Sequence, residues 1–208
     1  MVAGYSADQV RAAEAPLLAA GIPLMARAAT GLAGLIRGMR PERVLLLVGS
    51  GDNGGDALFA GAELAAEGIP VSILRTGDRV HEAGLAAALA SGADLVEVLP
   101  DRLDVVVDGI LGIGAGAGTA LRGRARAAVD AVLARPRHPR VVAVDIPSGV
   151  EPDSGSVADS VVLPAEVTVT FGAVKAGLLR SRGAELAGRV ELVEIGLDLT
   201  GAVPLVEV

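Results

Sequence analysis

Carboxylates that close apolar runs are the residues here whose placement suggests chemistry. Asp108 ends the run in LDVVVDGILG, and Asp145 ends RVVAVDIPSG with Ser148 in the turn beyond it. A third apolar run, RVLLLVG, opens into VGSGDNGGDALFAG, from Val48 to Gly61, where Asp52, Asn53 and Asp56 stand among Gly49, Gly51 and Gly54. That glycine spacing suits a strand-to-helix turn receiving a dinucleotide phosphate at a helix N-terminus. Such a terminus offers about half a positive charge, so two acids beside it would repel a bare pyrophosphate. Asp56 also reads as a helix cap, and Asp52 as a solvated loop residue. If the three strand ends share one edge, Asn53, Asp108 and Ser148 supply oxygens suited to a hard cation. A cation there would offset the acids and readmit an anionic ligand. Taken singly, Asp108 and Asp145 each read equally well as a carboxylate capping a turn.

These residues need a frame that brings strand ends together. RVLLLVG, VSILRT, LVEVL, LDVVVDGIL and RVVAVDIPSG read as strands mostly buried on both faces. Between them GDALFAGAELAAEG, HEAGLAAALASG and TALRGRARAAVDAVLARP read as helices. The alternation predicts an α/β fold with a doubly wound, mostly parallel sheet, in which ligands bind beyond the C-terminal strand ends. The N-terminal region from Ser6 to about Arg37 reads as two helices broken at Gly21–Pro23, because Gly and Pro are poor in helix interiors. The whole chain, 1–208, is expected to be one domain, with a helical arm over 1–38 and a Rossmann-like core over 39–208. After Gly149 the pattern predicts a long loop and two strands, VTVTFG and RVELVEIG, without a helix.

Composition narrows the function classes. With 51% hydrophobic but 1% aromatic residues, the core must be filled by Val, Leu, Ile and Ala. The net charge of −7 and the absence of a basic cluster argue against nucleic acid, which requires phosphate neutralisation. There is no cysteine, hence no thiolate nucleophile or Cys-type zinc site, and His81 and His138 lack a metal-ligand spacing. The start MVAGYSADQVRAAE lacks a signal-peptide pattern, and no apolar run approaches the ~20 residues of a membrane span. A cytoplasmic protein is the expectation.

Four ordered motifs, GSGDNGGDALFAG, VDGILGIGAGAG, VAVDIPSG and VTVTFGAVKAGLL, resemble those of the NAD(P)H-hydrate epimerases, the N-terminal domain type of the YjeF proteins. GIPLMARAA near the N-terminus resembles a fifth family segment. The resemblance implies a three-layer α/β/α Rossmann-like fold, usually a homodimer, acting on NADHX and NADPHX, cofactors hydrated at C6 of the nicotinamide ring. Epimerisation of the R and S forms would feed a partner dehydratase, fused to the epimerase in many bacterial relatives. The resemblance also implies a potassium ion held by Asn53, Asp108 and Ser148. Substrate contacts would come from Asp52, Asn53, Gly54, Gly55 and Asp56, from Gly112, Ile113, Gly114, Ala115, Gly116, Ala117 and Gly118, and from Asp145. Asp52, Ala57, Val174, Ala26 and Arg27 depart from the family pattern.

Inverting a hydrated C6 needs proton transfer at oxygen, and Asp145 is the expected acid and base. Lys175, in FGAVKAG, would orient Asp145 or a water; its plainer reading is a solvated loop lysine. Two other functions fit parts of the sequence. An NADP-dependent Rossmann dehydrogenase accounts for the glycine loop and for Arg75 at a strand end, and a non-catalytic nucleotide-binding or scaffold module accounts for the fold alone.

Overall fold

Seven parallel strands form the centre of the computed structural model, which describes residues 1–115 and 120–208. In chain order they are β2 (Val44–Val48), β3 (Val71–Arg75), β4 (Asp94–Val96), β5 (Val105–Gly109), β6 (Arg140–Val144), β7 (Val167–Phe171) and β8 (Arg189–Val193). Across the sheet they run β4-β3-β2-β5-β6-β7-β8. Strand order therefore reverses between β2 and β5, which opens a crevice beyond their C-terminal ends. Register aligns those ends: Leu47 lies opposite Asp108, Val48 opposite Gly109, and Asp108 opposite Ala143.

Alternating strand residues feed two apolar layers, as a sheet covered on both faces requires. Leu46, Val48, Val107 and Val144 pack against α2 (Leu24–Gly38), α3 (Asp52–Ala66) and α4 (Glu82–Ala90). Leu45, Leu47 and Val106 face the opposite way, onto Val129 and Val132 of α5 (Gly123–Leu133). Helices on both faces make the predicted three-layer Rossmann-like architecture.

Several features differ from the sequence expectation. The strand β4, at one edge of the sheet, is not buried on both faces. A short helix, α6 (Ser181–Leu186), does follow Gly149; its six residues are too few to show a clear period in sequence. Between β6 and β7 the crossover has no helix. Its residues join Val174, Leu178 and Leu186 in a third apolar cluster through Ile146, Val150 and Val162. Two-residue strands at the chain ends, β1 (Ala3–Gly4) and β9 (Val206–Glu207), pair antiparallel.

The N-terminal region forms α1 (Ala7–Ala19) and α2, with a 116° bend between them. Ser6 starts α1 in a capping box with Gln9, and Gly21 ends it at φ 71°. Leu32 and Ile36 of α2 are fully buried in the same apolar cluster as the sheet. Tyr5, just before α1, forms a parallel bridge with Lys175. Its N–H donates to the Val174 carbonyl, and its own carbonyl accepts from the Ala176 N–H. The start of the chain is thereby strapped beside the strand-end residues.

Candidate active site

At the end of β5, Asp108 is completely buried and all its partners are neutral. Its Oδ1 accepts from the Ser148 hydroxyl at 2.6 Å and from the Ile110 N–H at 3.4 Å, and its Oδ2 accepts from the Ser148 N–H at 2.9 Å. Burial pushes its pKa upward, against the pull of these hydrogen bonds. Ser148 Oγ in turn accepts from the Leu111 N–H at 2.9 Å. Asn53, in the first turn of α3, donates from Nδ2 to the Leu111 carbonyl at 3.2 Å and the Val144 carbonyl at 2.5 Å. The structure thus brings Asn53, Asp108 and Ser148 together around Leu111. A Cβ on Gly112 would lie 2.2 Å from Asn53 Oδ1 and would displace that amide. Among the described residues no three acidic or histidine side chains converge as a metal site. A cation here would rest on one carboxylate with amide and hydroxyl oxygens.

Asp145 ends the neighbouring strand, β6, in a different environment. Its φ of 66° lies in the left-handed region, which costs a non-glycine residue energy and turns the side chain out of the strand pattern. Oδ1 accepts three bonds: from Lys175 Nζ, from Thr170 Oγ1 at 3.1 Å and from the Phe171 N–H at 3.2 Å. No described donor reaches Oδ2, and the residue lines a cleft. Lys175 is only 1% exposed, which excludes the solvated-loop reading. Its ammonium also donates to Thr170 Oγ1 at 3.2 Å and to the Phe171 carbonyl at 2.9 Å, so its three protons are engaged.

That cleft, about 400 Å³, lies between the start of α3, the 110–114 segment and the end of β6, with α1 as a further wall. Asp52 is the first residue of α3 and exposed; Asp56 is a turn further on and buried. The N-cap is Gly51, so Asp56 is not a cap, and among the described residues it accepts no hydrogen bond. Its pKa is pushed up to about 8, first by burial, then by the charges of Asp145 and Asp52, with Lys175 opposing and Glu14 adding. Two fingerprint glycines serve packing: a Cβ on Gly49 would lie 1.8 Å from the Ile110 carbonyl oxygen, and one on Gly54 2.3 Å from that of Gly49. Gly51 borders open space within the cleft. Gly55 sits behind the cleft wall, against Met25 and His81.

Gly112, Ile113 and Gly114 line the cleft; Gly116, Ala117 and Gly118 lie outside the described residues. Sequence reasoning missed Glu14, which α1 projects into the cleft. Burial raises its pKa, Lys175 lowers it, Asp145 and Asp52 raise it, and Arg11 lowers it. Arg11, on the same helix, donates to the Ile113 carbonyl at 3.0 Å and so ties α1 to the 112–114 segment. Of the departures from the family pattern, Arg27 points elsewhere, donating to the Ile195 carbonyl at 2.6 Å.

The family model described as YjeF-related protein N-terminus matches residues 21–177. The chain is 55% identical over 219 residues to an NAD(P)H-hydrate epimerase of Clavibacter michiganensis subsp. michiganensis, covering 98% of this chain and 94% of that protein. It is 56% identical to an NAD(P)H-hydrate epimerase of Microbacterium testaceum, covering 95% of this chain and 80% of the relative. It is 45% identical to the bifunctional NAD(P)H-hydrate repair enzyme Nnr of Mycobacterium tuberculosis, of which it spans 42%. The crystal structure of yeast ynu0 superposes with a TM-score of 0.74, covering 92% of this chain and 87% of that one. At 17% identity this likeness is one of fold.

Proposed function

Because the chain belongs to the family of the YjeF-related protein N-terminus, we infer that it is an NAD(P)H-hydrate epimerase, an isomerase that interconverts the R and S forms of NADHX and NADPHX. The observation that carries this reading is Asp145: a strand-end carboxylate whose Oδ1 is held by three donors while Oδ2 is left to a cleft at the sheet's switch point. Dehydrogenase chemistry accounts less well for the same cleft. Glu14, Asp52, Asp56 and Asp145 bring carboxylates to it against the one ammonium of Lys175, which suits proton transfer at oxygen better than hydride transfer from a cofactor phosphate-bound in the same turn.

Epimerisation breaks the C6–O bond to give a planar iminium and returns water to the other face. Asp145, paired with Lys175, is placed to take a proton from that water and to offset the positive charge of the iminium. Lys175 acts through Asp145 as a positioning residue. Gly51 and the 112–114 segment leave room for the nicotinamide and its phosphates. Asp145→Asn keeps the shape and the Oδ1 acceptor. It is expected to lower the approach of R-NADPHX to its epimer equilibrium by about 10²–10⁴-fold in a chain that still folds, less stable than wild type because Lys175 loses its counterion. Near wild-type turnover in a folded variant refutes the role.

Potassium binding by Asn53, Asp108 and Ser148 is part of the same proposal. The donor set fits a hard monovalent ion, because Asp108 is a fully buried carboxylate without an ionic partner among the described residues. When bound, such an ion supplies positive charge beside the phosphate-approaching turn. The dimer implied by the family resemblance is read directly by sedimentation. The bifunctional relative of Mycobacterium tuberculosis supports a dehydratase as the functional partner, consuming the S epimer.

A further inference from the structure

We propose that Asp56 is a second catalytic carboxyl of this site, a proton donor to the C6 hydroxyl that works across the cleft from Asp145. The proposal rests on the epimerase reading above and deepens it. Asp145 alone supplies half of what epimerisation needs. Its Oδ1 is committed to Lys175, Thr170 and Phe171, an ion-paired arrangement that suits a base, whereas loss of the first hydroxyl requires an acid.

Three observations single out Asp56. It is 7% exposed, and that remnant faces the cleft it lines. Among the described residues it has neither a hydrogen-bond donor nor a salt-bridge partner, although a carboxylate buried in its ionised form needs such compensation. It also stands on α3, a helix locked by close contact with the sheet, so its position is fixed before substrate arrives. The charged groups facing it are Asp145 from the end of β6, Lys175 from beyond β7, Glu14 from α1 and Asp52 from its own helix. Helices α2 and α4, which also pack on α3, bring Met25 and His81 against Gly55. His81 Nδ1 is occupied in accepting from the Gly84 N–H at 3.1 Å. Three of the four charges are acidic, so the field favours a neutral Asp56. Its pKa of about 8 agrees with that geometry.

The step balances. The Asp56 carboxyl protonates the C6 hydroxyl, and the C6–O bond breaks with its electron pair leaving on water. The N1 lone pair forms the C6=N1 bond of the iminium. A water then attacks C6 from the opposite face, losing a proton to Asp145 as the π pair returns to N1. One proton is thus shared between two carboxyl groups, and each epimer draws it from the group on its own hydroxyl's face. Paired carboxyls whose surroundings differ are a general route to acid and base roles at one pH.

The test uses the full chain with R-NADPHX and, as a stable probe of binding, NADPH. Asp56→Asn is expected to lower kcat by at least about 100-fold while NADPH still shifts the melting temperature as in wild type. Asp56→Glu is expected to restore part of kcat. Wild-type kcat is expected to fall on the alkaline side as Asp56 loses its proton, and the ¹³C signal of its carboxyl to titrate well above the ordinary carboxylate range. A kcat retained in Asp56→Asn with only KM raised overturns the proposal and leaves Asp56 a binding residue. A carboxyl titrating in the ordinary range also overturns it, even if the variant is poorly folded. A wild-type chain inert toward NADPHX overturns the epimerase reading itself, an outcome no Asp56 variant can mimic.

Discussion

Asp108 and Asp145 end adjacent parallel strands, each after a run of valines, yet the structure treats them oppositely. Asp108 continues its strand and points inward, sealed under Ser148 with neutral donors on both oxygens. Asp145 breaks the strand with a positive φ, takes an ammonium on one oxygen and offers the other to the cleft. Identical sequence signatures therefore give one carboxylate that must be neutralised from within and one that can act on a ligand. The partner that decides between them, Lys175, is 30 residues away in sequence.

Removing that partner should produce the largest change in stability. Lys175→Met leaves Asp145 buried without its cation, which typically costs about 3–5 kcal/mol. Denaturant unfolding is expected to show this loss, and the double variant Lys175→Met with Asp145→Asn to recover much of it. A Lys175→Met chain as stable as wild type would mean the ion pair is not what distinguishes the two strand ends.

Asp56 provides a second contrast, because its folded-state pKa is raised above the ordinary carboxylate value. The folded state then holds this proton more tightly than the unfolded state, so stability falls as pH rises from the ordinary range, about 4, toward about 8. Below that window the residue is protonated in both states and costs nothing. Asp56→Asn is expected to flatten the slope, gaining melting temperature over wild type at pH 8 but not at pH 4. An equal gain at both values would trace the effect to packing.

How much of this was legible in sequence follows from the range of the forces involved. Valine runs and glycine turns are local signals, and they located the strands and the edge that gathers Asn53, Asp108, Ser148 and Asp145. Glu14 was invisible because its place in the cleft depends on the Tyr5–Lys175 bridge, a pairing between chain segments 170 residues apart. Asp56 looked like a cap because a glycine-rich start hides where a helix begins; the observed start at Asp52 carries it a full turn inward. Gly49 and Gly54 suggested a phosphate, yet contacts within the protein already require both.

The smallest stability effect should come from Asp108→Asn. One amide oxygen can still accept from the Ser148 N–H. The new NH₂ would meet the Ser148 hydroxyl, which can rotate to accept it and donate instead to the Leu111 carbonyl, now 3.3 Å away, and the Ile110 N–H would lose only its long 3.4 Å contact. The substitution also removes the cost of a buried charge. Stability near pH 7 is therefore expected to change by about 1 kcal/mol or less, far less than in Lys175→Met. Its signature lies elsewhere: if Asp108 holds potassium, wild-type turnover is faster in potassium than in lithium buffers, and the variant loses that difference. Large destabilisation with an intact potassium effect would show that Asp108 is only a structural carboxylate of the 108–111 turn.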